Sequence, residues 1–218
     1  NQAELDNALR TIDRISRIAN YGNKAILDGS MGANGVTQGD HLEFVSANEN
    51  TKSSPVGGYG VQIKEAATRS SVQGTVPLTQ AMIDAGEQLT FSEGGRTLNF
   101  ETKAGESVET TLNRLDKAII HSGMKMEIVR TPGSAANQHA PQLLRFRHKE
   151  YGSEHSFQVA SNTAGVLSSR RNTSDTINNG VDVSGFIGGE LGLGRGQILT
   201  GSVPTKVSGL KIRYTGEY

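Results

Sequence analysis

The chain has 218 residues, 22 of them basic and 22 acidic, so its formal net charge at pH 7 is zero. Proteins that bind nucleic acid or anionic membranes non-specifically normally carry an excess of positive charge, so the composition disfavours both partners. Cysteine is absent, which excludes disulfides, thiolate metal sites and cysteine nucleophiles, and the 27 glycines with only 5% aromatic residues are typical of short strands joined by many turns.

The first predicted element is an amphipathic helix at the start of the chain. Its apolar residues recur at spacings of three and four and form one stripe: Leu5, Ala8, Leu9, Ile12, Ile15 and Ala19. A single helix cannot bury such a stripe, so the stripe either packs on the rest of this chain or was made for other helices of a longer parent chain. The chain starts inside this pattern without an initiator Met, which we interpret as a cut within a helix.

Residues 28–40 are rich in glycine, asparagine and serine and are predicted to form a linker. Alternating apolar residues predict strands at 42–46 and 59–65, and a short helix is predicted within 77–86. Further short strands are predicted near the end of the chain, at 181–187, 197–200 and 209–216, with glycine recurring between them.

The clearest predicted unit spans residues 88–160. Strands at 89–91 and 98–102 flank the turn Glu93-Gly94-Gly95, which is typical of a β-hairpin. Ser107 is a suitable N-cap for a helix that ends at Gly123 and whose apolar face contains Val108, Leu112, Leu115 and Ile119. Strands at 124–128, 144–148 and 157–159 follow, so the order ββαβββ predicts one helix on an antiparallel sheet. The predicted fold class of the chain is α+β and mostly β, with the N-terminal helix followed by a glycine-rich antiparallel outer part.

No cofactor motif is complete in this sequence. Gly192, Gly194 and Gly196 approach the spacing of a dinucleotide-binding loop, but Gln197 stands where the third glycine belongs. No helix is predicted after these glycines, and a phosphate-binding loop needs the N-terminus of a helix. We therefore predict no cofactor.

Catalytic and metal-binding patterns are equally incomplete. His148 and His155 lie near Glu150 and Glu154, but these residues flank a predicted hairpin turn, where polar surface side chains are expected. The H-E-x-x-H pattern of a zinc site and the G-x-S-x-G elbow of a serine hydrolase are both missing. We expect no metal site, no catalytic residue and a protein that is not an enzyme.

The N-terminal segment resembles bacterial flagellin. IDRIS at 12–16 and YGNKAILDGS at 21–30 are similar to the "IDRI(A/S)" helix and the "FNGKKLLDGS"-like turn of that family. The chain departs from the pattern at Tyr21 and Gly22, where the family usually has Phe-Asn or Phe-Gly, and at Ala25, where it usually has Lys. Segments 105–120, 180–189, 194–201 and 209–216 are similar to motifs shared by the outer parts of flagellins and of filament cap proteins, so they do not separate the two families.

The resemblance implies a structural subunit of an extracellular bacterial flagellar filament that serves motility. Residues 1–34 would be a remnant of the inner rod-like helical domain with its junction turn. Residues 35–218 would be the surface-exposed outer domain, with 88–160 as a possible inserted sub-domain. The terminal polymerising helices of flagellin would be missing, so we expect this chain alone to be monomeric and not to form filaments.

Two sets of residues are predicted to matter for assembly. The packing surface contains Leu5, Leu9, Ile12, Ile15 and Ala19, and the junction between inner and outer parts contains Tyr21, Gly22, Asn23, Lys24 and Ile26. The expected partners are other flagellin subunits and, through the outer surface, other filament or sheath proteins. A filament cap or hook-associated protein, a secreted binding module, and an enzyme inserted in a flagellin outer region remain as alternatives.

Overall fold

The computed structural model describes residues 24–27, 35–130, 137–175 and 177–217. The chain divides into two compact units: the first ends at Thr68 and resumes at Val181, and the second spans Arg69–Gly180. Strands outnumber helices and every strand pair is antiparallel, which confirms the mostly β class for the described residues. The predicted N-terminal helix lies outside them, and the predicted boundaries at 34, 88 and 160 stay predictions.

The strands in chain order are β1 (Lys24–Leu27), β2 (Gly35–Gln38), β3 (Leu42–Ser46), β4 (Tyr59–Glu65), β5 (Ser71–Gln73), β6 (Gln88–Glu93), β7 (Arg96–Glu101), β8 (Met126–Ile128), β9 (Arg145–His148), β10 (Gln158–Ser161), β11 (Ser184–Ile187), β12 (Glu190–Arg195), β13 (Ile198–Gly201) and β14 (Lys211–Tyr214). The helices of the described residues are α1 (Gln80–Asp84) and α2 (Val108–Ser122). Neither helix is long and apolar enough to cross a membrane.

The first unit is built on one sheet in the order β2-β1-β4-β11-β12-β13-β14-β3. Its two end strands, β2 and β3, are consecutive in the chain, and the Thr37 hydroxyl donates to the Leu42 carbonyl across the turn between them at 2.8 Å. The sheet therefore curls until its ends lie side by side. Its inner face buries a set of aliphatic and aromatic side chains: Leu42, Tyr59, Val61, Ile187, Leu199, Val207, Leu210 and Ile212.

The linker prediction for 28–40 is wrong for residues 35–38, which form β2. The backbone of β2 pairs with β1, where Ile26 lies opposite Val36 and Lys24 lies opposite Gln38. The composition of residues 28–40 does not reveal this pairing. Two other strands, β5 and β12, are also absent from the prediction.

The second unit contains two three-stranded sheets instead of the single predicted sheet. β6 and β7 form the predicted hairpin and pair with β10, whereas β9 lies between β5 and β8. The prediction of one sheet is wrong because β10 pairs with β6, whereas β9 pairs with β5 and β8. The two sheets and α2 share one core that includes Leu78, Leu89, Phe91, Leu115, Ile119, Leu144 and Phe146.

The ends of α2 agree with the prediction. The Ser107 side chain accepts a hydrogen bond from the Thr110 backbone N–H at 3.1 Å and caps the first turn. Gly123 ends the helix with a left-handed φ of 73°, a conformation that glycine adopts without a steric penalty. Leu115 and Ile119 on its inner face are fully buried.

Arg114 ties α2 to the segment that precedes it. Its guanidinium donates to the Glu106 carboxylate at 2.9 and 3.0 Å and lies over the Phe100 ring, 4.3 Å from the ring centroid. The hydrogen bond from Arg114, followed by its charge, lowers the pKa of Glu106. The ionised Glu106 carboxylate therefore stabilises the folded state relative to the unfolded state.

Replacing Glu106 with glutamine is expected to lower the free energy of unfolding at pH 7 by about 0.5–1 kcal/mol, a modest figure because the pair is only partly buried. A carboxyl whose pKa is lowered by folding contributes stability above the usual pKa range of glutamate, and this contribution disappears as the pH falls through the lowered value. The difference between the two proteins should therefore vanish in acid. Urea unfolding at several pH values measures it, and a difference that persists in acid would contradict the role of the charge.

Candidate functional site

The predicted assembly residues lie mostly outside the described part of the chain. These are the packing-surface residues Leu5, Leu9, Ile12, Ile15 and Ala19 and the junction residues Tyr21, Gly22 and Asn23. The remaining junction residues, Lys24 and Ile26, lie in β1, between β2 and β4. The junction segment thus continues into the sheet of the first unit through the pairing of Lys24 with Gly60.

The largest exposed aliphatic side chains of the sheet lie on the outer face of β12. Leu191 is 60% exposed and Leu193 is 66% exposed, and they alternate with Gly192 and Gly194 on the opposite face. Val203 follows β13 and is 79% exposed. It comes directly after Ser202, whose hydroxyl donates to the Leu191 carbonyl, so it lies close to the start of β12.

The strand register extends this apolar surface to both neighbouring strands. Residues opposite each other in an antiparallel pair point to the same face, so Phe186 lies beside Leu191, and Ile198 lies on the same face beside Arg195. Phe186 and Ile198 are half-buried. We call the five residues Phe186, Leu191, Leu193, Ile198 and Val203 the β12 face.

Charged side chains border the β12 face. The register places Arg195, Lys211 and Arg213 on the same side of the sheet, and the Lys64 ammonium lies 5.9 Å from the centre of the Phe186 ring. The Glu43 carboxylate accepts from Arg213 at 3.2 Å, and Glu65 lies opposite Ser184 on this side of the sheet. The side chains that border the β12 face therefore carry charges of both signs, and Arg213 is paired with Glu43.

His148 does not lie on the surface, contrary to the expectation for a residue beside a hairpin turn. It is 1% exposed, because β9 turns its ring towards the core of the second unit. Its Nδ1 accepts from the Glu150 backbone N–H at 3.0 Å, and its Nε2 faces the Glu93 carboxylate at 3.4 Å. The ring therefore links the β6–β7 hairpin to β9 and the turn that follows it.

His155 stacks on His148 with ring centroids 5.2 Å apart and an angle of 14° between the rings. Its Nδ1 lies 3.2 Å from the Glu150 carboxylate, which also accepts from the Lys125 ammonium. The hydrogen bond from Lys125 lowers the pKa of Glu150. In the described residues no three histidine, aspartate or glutamate side chains are grouped to hold a metal ion, so this cluster is a polar network between β8 and the turn after β9.

A cleft of about 210 Å³ opens in the second unit beside β5. Val72, Leu167 and Asp175 are among the residues that line it. Hydrogen bonds from the Ser169 side chain and backbone lower the pKa of Asp175, and Gln73 accepts from Arg145 at 2.9 Å. The Asp175 carboxylate and the Gln73 side chain are thus both hydrogen-bonded within the protein.

Gly192, Gly194 and Gly196 do not form a nucleotide-binding loop. The first two lie inside β12, and Gly196 begins the turn into β13. The real reason for Gly194 is close packing, because a side chain there would overlap the carbonyl oxygen of Val183. The β12 face is not among the features predicted above, although Leu191 and Leu193 alternate with glycine as expected for a strand.

Comparison with known proteins relates the chain to solved structures only. No protein-family model and no curated protein sequence matches it. It is similar to the D1-D2-D3 domains of the flagellar cap protein FliD from Escherichia coli, with a TM-score of 0.53 and 10% identity, over 97% of this chain and 60% of that one. The D2-D3 domains of FliD from Serratia marcescens give a TM-score of 0.52 at 13% identity, over 82% of this chain and 94% of that one.

The D2-D3 domains of the Escherichia coli protein alone give a TM-score of 0.51 at 10% identity, over 83% of this chain and 91% of that one. The chain thus spans less than two thirds of the longer FliD structure but nearly the whole of the two shorter ones. Sequence identities as low as these show that the folds are similar, but they do not establish a shared function. The chain has the fold of the D2-D3 region of flagellar cap proteins.

Proposed function

We propose that the chain is the outer part of a filament cap or hook-associated protein of the bacterial flagellum, with a structural role outside the cell. The observation that carries the proposal is the likeness to flagellar cap proteins over 82% or more of the chain, which includes both units. The motifs at 105–120, 180–189, 194–201 and 209–216 support it, since they resemble the outer parts of such proteins. The function is association with other proteins, and we propose no catalytic role.

A flagellin subunit is the second candidate. It is favoured by the resemblance of residues 12–16 and 21–30 to the helix and turn of flagellin. Against it stands the fold, because the structures reported above are all of a cap protein. The two candidates share an extracellular location on the flagellum and partners among the filament proteins, and they differ in the assembly that each would form.

Electron microscopy of the purified protein that carries these residues, together with any residues that flank them, separates the candidates. A cap protein is expected to form small closed rings or plates, because its copies meet through a rotation that closes. A flagellin is expected to form long filaments with a helical lattice, because its rotation does not close. The absence of any assembly would contradict both candidates. The 218-residue chain alone is expected to form no filament in either case.

A further inference from the structure

We infer that Asn179 is a site of spontaneous covalent modification, at which the side-chain amide is lost as ammonia and the residue becomes aspartate or isoaspartate. Asn179 is exposed to solvent and precedes Gly180, the last residue of the second unit. The reaction consumes water and needs no enzyme. It is independent of the proposed function and adds a property of the chain that the likeness to cap proteins does not supply.

The reaction begins when the backbone nitrogen of Gly180 attacks the side-chain carbonyl carbon of Asn179. A bond forms between these two atoms, and the bond from that carbon to the side-chain nitrogen breaks. Ammonia leaves with the proton that the backbone nitrogen gives up, and a cyclic imide remains. Water then opens the imide at either of its two carbonyl groups. The product is aspartate or, where the main chain now runs through the former side-chain carbon, isoaspartate.

The attacking nitrogen has no competing hydrogen bond. Among the residues that the structure describes, none accepts from the Gly180 N–H and none bonds to the backbone or side chain of Asn179. Glycine also has no Cβ that would hinder the approach of its nitrogen to the preceding side chain. The exposure of Asn179 admits the water that opens the imide. The pair therefore combines a reachable nitrogen, an unengaged amide and access to solvent.

Neighbouring asparagines show why exposure alone is not sufficient. Asn178 is also exposed, but the residue that follows it carries a Cβ. Asn162 is followed by Thr163, whose N–H donates to the Glu87 carboxylate at 3.0 Å and whose Cβ is branched. Asn34 is also followed by glycine, but it lies outside the described residues. Asn178 is thus the closest matched comparison for Asn179.

Isoaspartate at position 179 would lengthen the main chain between two residues that are held by hydrogen bonds. The Asn178 N–H donates to the Ser71 carbonyl at 3.0 Å, and the Thr68 N–H donates to the Val181 carbonyl at 3.0 Å. An additional main-chain bond changes the spacing between Asn178 and Val181, so we expect at least one of these hydrogen bonds to weaken. Both products also add a negative charge to a chain whose formal charges sum to zero.

Peptide mapping by mass spectrometry tests the inference. The 218-residue chain is kept folded in warm, mildly alkaline buffer, digested in acid and compared with a sample that was kept cold. We expect the mass gain that replacement of NH₂ by OH produces at Asn179, with aspartate and isoaspartate as two separable products. Asn179→Gln should abolish the gain, because the longer side chain must close a larger and less favoured ring. Asn178→Gln is the matched control and should leave the gain at Asn179 unchanged.

Two results would overturn the inference. If the folded chain stays unmodified at Asn179 while the urea-unfolded chain gains the mass, the fold prevents ring closure. If Asn178 gains mass as fast as Asn179, the glycine and the unengaged nitrogen do not select the site. Circular dichroism checks that the variants are folded. The electron microscopy of assemblies decides the proposed function separately, because neither result bears on the assembly that the protein forms.

Hydrogen exchange tests the structural consequence on the same samples. The isoaspartate form is separated from the unmodified chain by ion exchange, since it carries the additional negative charge. The amides of Thr68 and Asn178 should exchange faster in this form than in the unmodified chain, because their hydrogen bonds flank the lengthened segment. Equal exchange at both amides would contradict the expected weakening.

Discussion

Replacing Phe146 with alanine is expected to lower the free energy of unfolding of the second unit by about 3–5 kcal/mol. Phe146 is fully buried, its ring lies 4.9 Å from that of Phe91, and it stands between Val72 and Ile128 on the neighbouring strands. It therefore joins the β5-β9-β8 sheet to the β10-β6-β7 sheet across their common core. Truncation removes buried apolar contacts and leaves a cavity that a core made from two sheets cannot close fully.

Urea unfolding measures the total loss, and hydrogen exchange at the amides of α2 assigns it to the second unit. Leu143→Ala is the control on the same chain segment, because Leu143 is 46% exposed and should cost at most about 1 kcal/mol. If both variants lose stability equally, Phe146 does not hold the two sheets together as described.

Replacing Gly194 with alanine is expected to destabilise the first unit by about 3 kcal/mol or more, the upper part of the range for overpacking. An added methyl group would overlap the backbone carbonyl of Val183, and a backbone atom cannot move aside as a flexible side chain can. The segment before β11 is fixed there, since the Val183 N–H donates to the Gly196 carbonyl at 2.8 Å. To relieve the overlap, the hydrogen bond between Val183 and Gly196 would have to break.

Gly60→Ala provides a matched control for Gly194→Ala. Gly60 is also a strand glycine of the same sheet, and an added methyl group there would meet no atom within 4 Å. Alanine at this position should leave the thermal midpoint unchanged or raise it slightly, because alanine restricts the unfolded chain more than glycine does. Thermal unfolding of the two variants side by side gives the comparison. If the two variants unfold at the same temperature, the Val183 backbone does not pack closely against Gly194.

The parts of the fold that could be predicted are those whose signal is local. α2 carries its own N-cap, apolar face and C-terminal glycine, and the β6–β7 hairpin carries its own turn. β2 and β12 carry weaker signals, because Gly35, Gly192 and Gly194 have no side chains that would mark the buried face of a strand. Those glycines make room for close neighbours, such as Phe44 beside Gly35, which only the folded chain brings together.

The β12 face was even harder to predict from the sequence than β2 and β12 themselves. Leu191 and Leu193 alternate with glycine, but only the folded sheet shows that their side chains point to solvent. The reverse holds for His148, whose polar neighbours in the sequence suggested the surface although its ring is buried against Glu93 and His155. Whether a side chain of a short strand is buried depends on the strands that pair with it, and these strands are distant in the sequence.

Immunogold electron microscopy of whole cells tests the central claim most directly. Antibodies raised against the 218-residue chain are applied to flagellated cells, and a strain without the corresponding gene controls for specificity. A cap protein predicts gold particles at the free ends of filaments and none along their length. Labelling along the whole filament would contradict the cap assignment and favour flagellin, and filaments without any label would contradict a flagellar role.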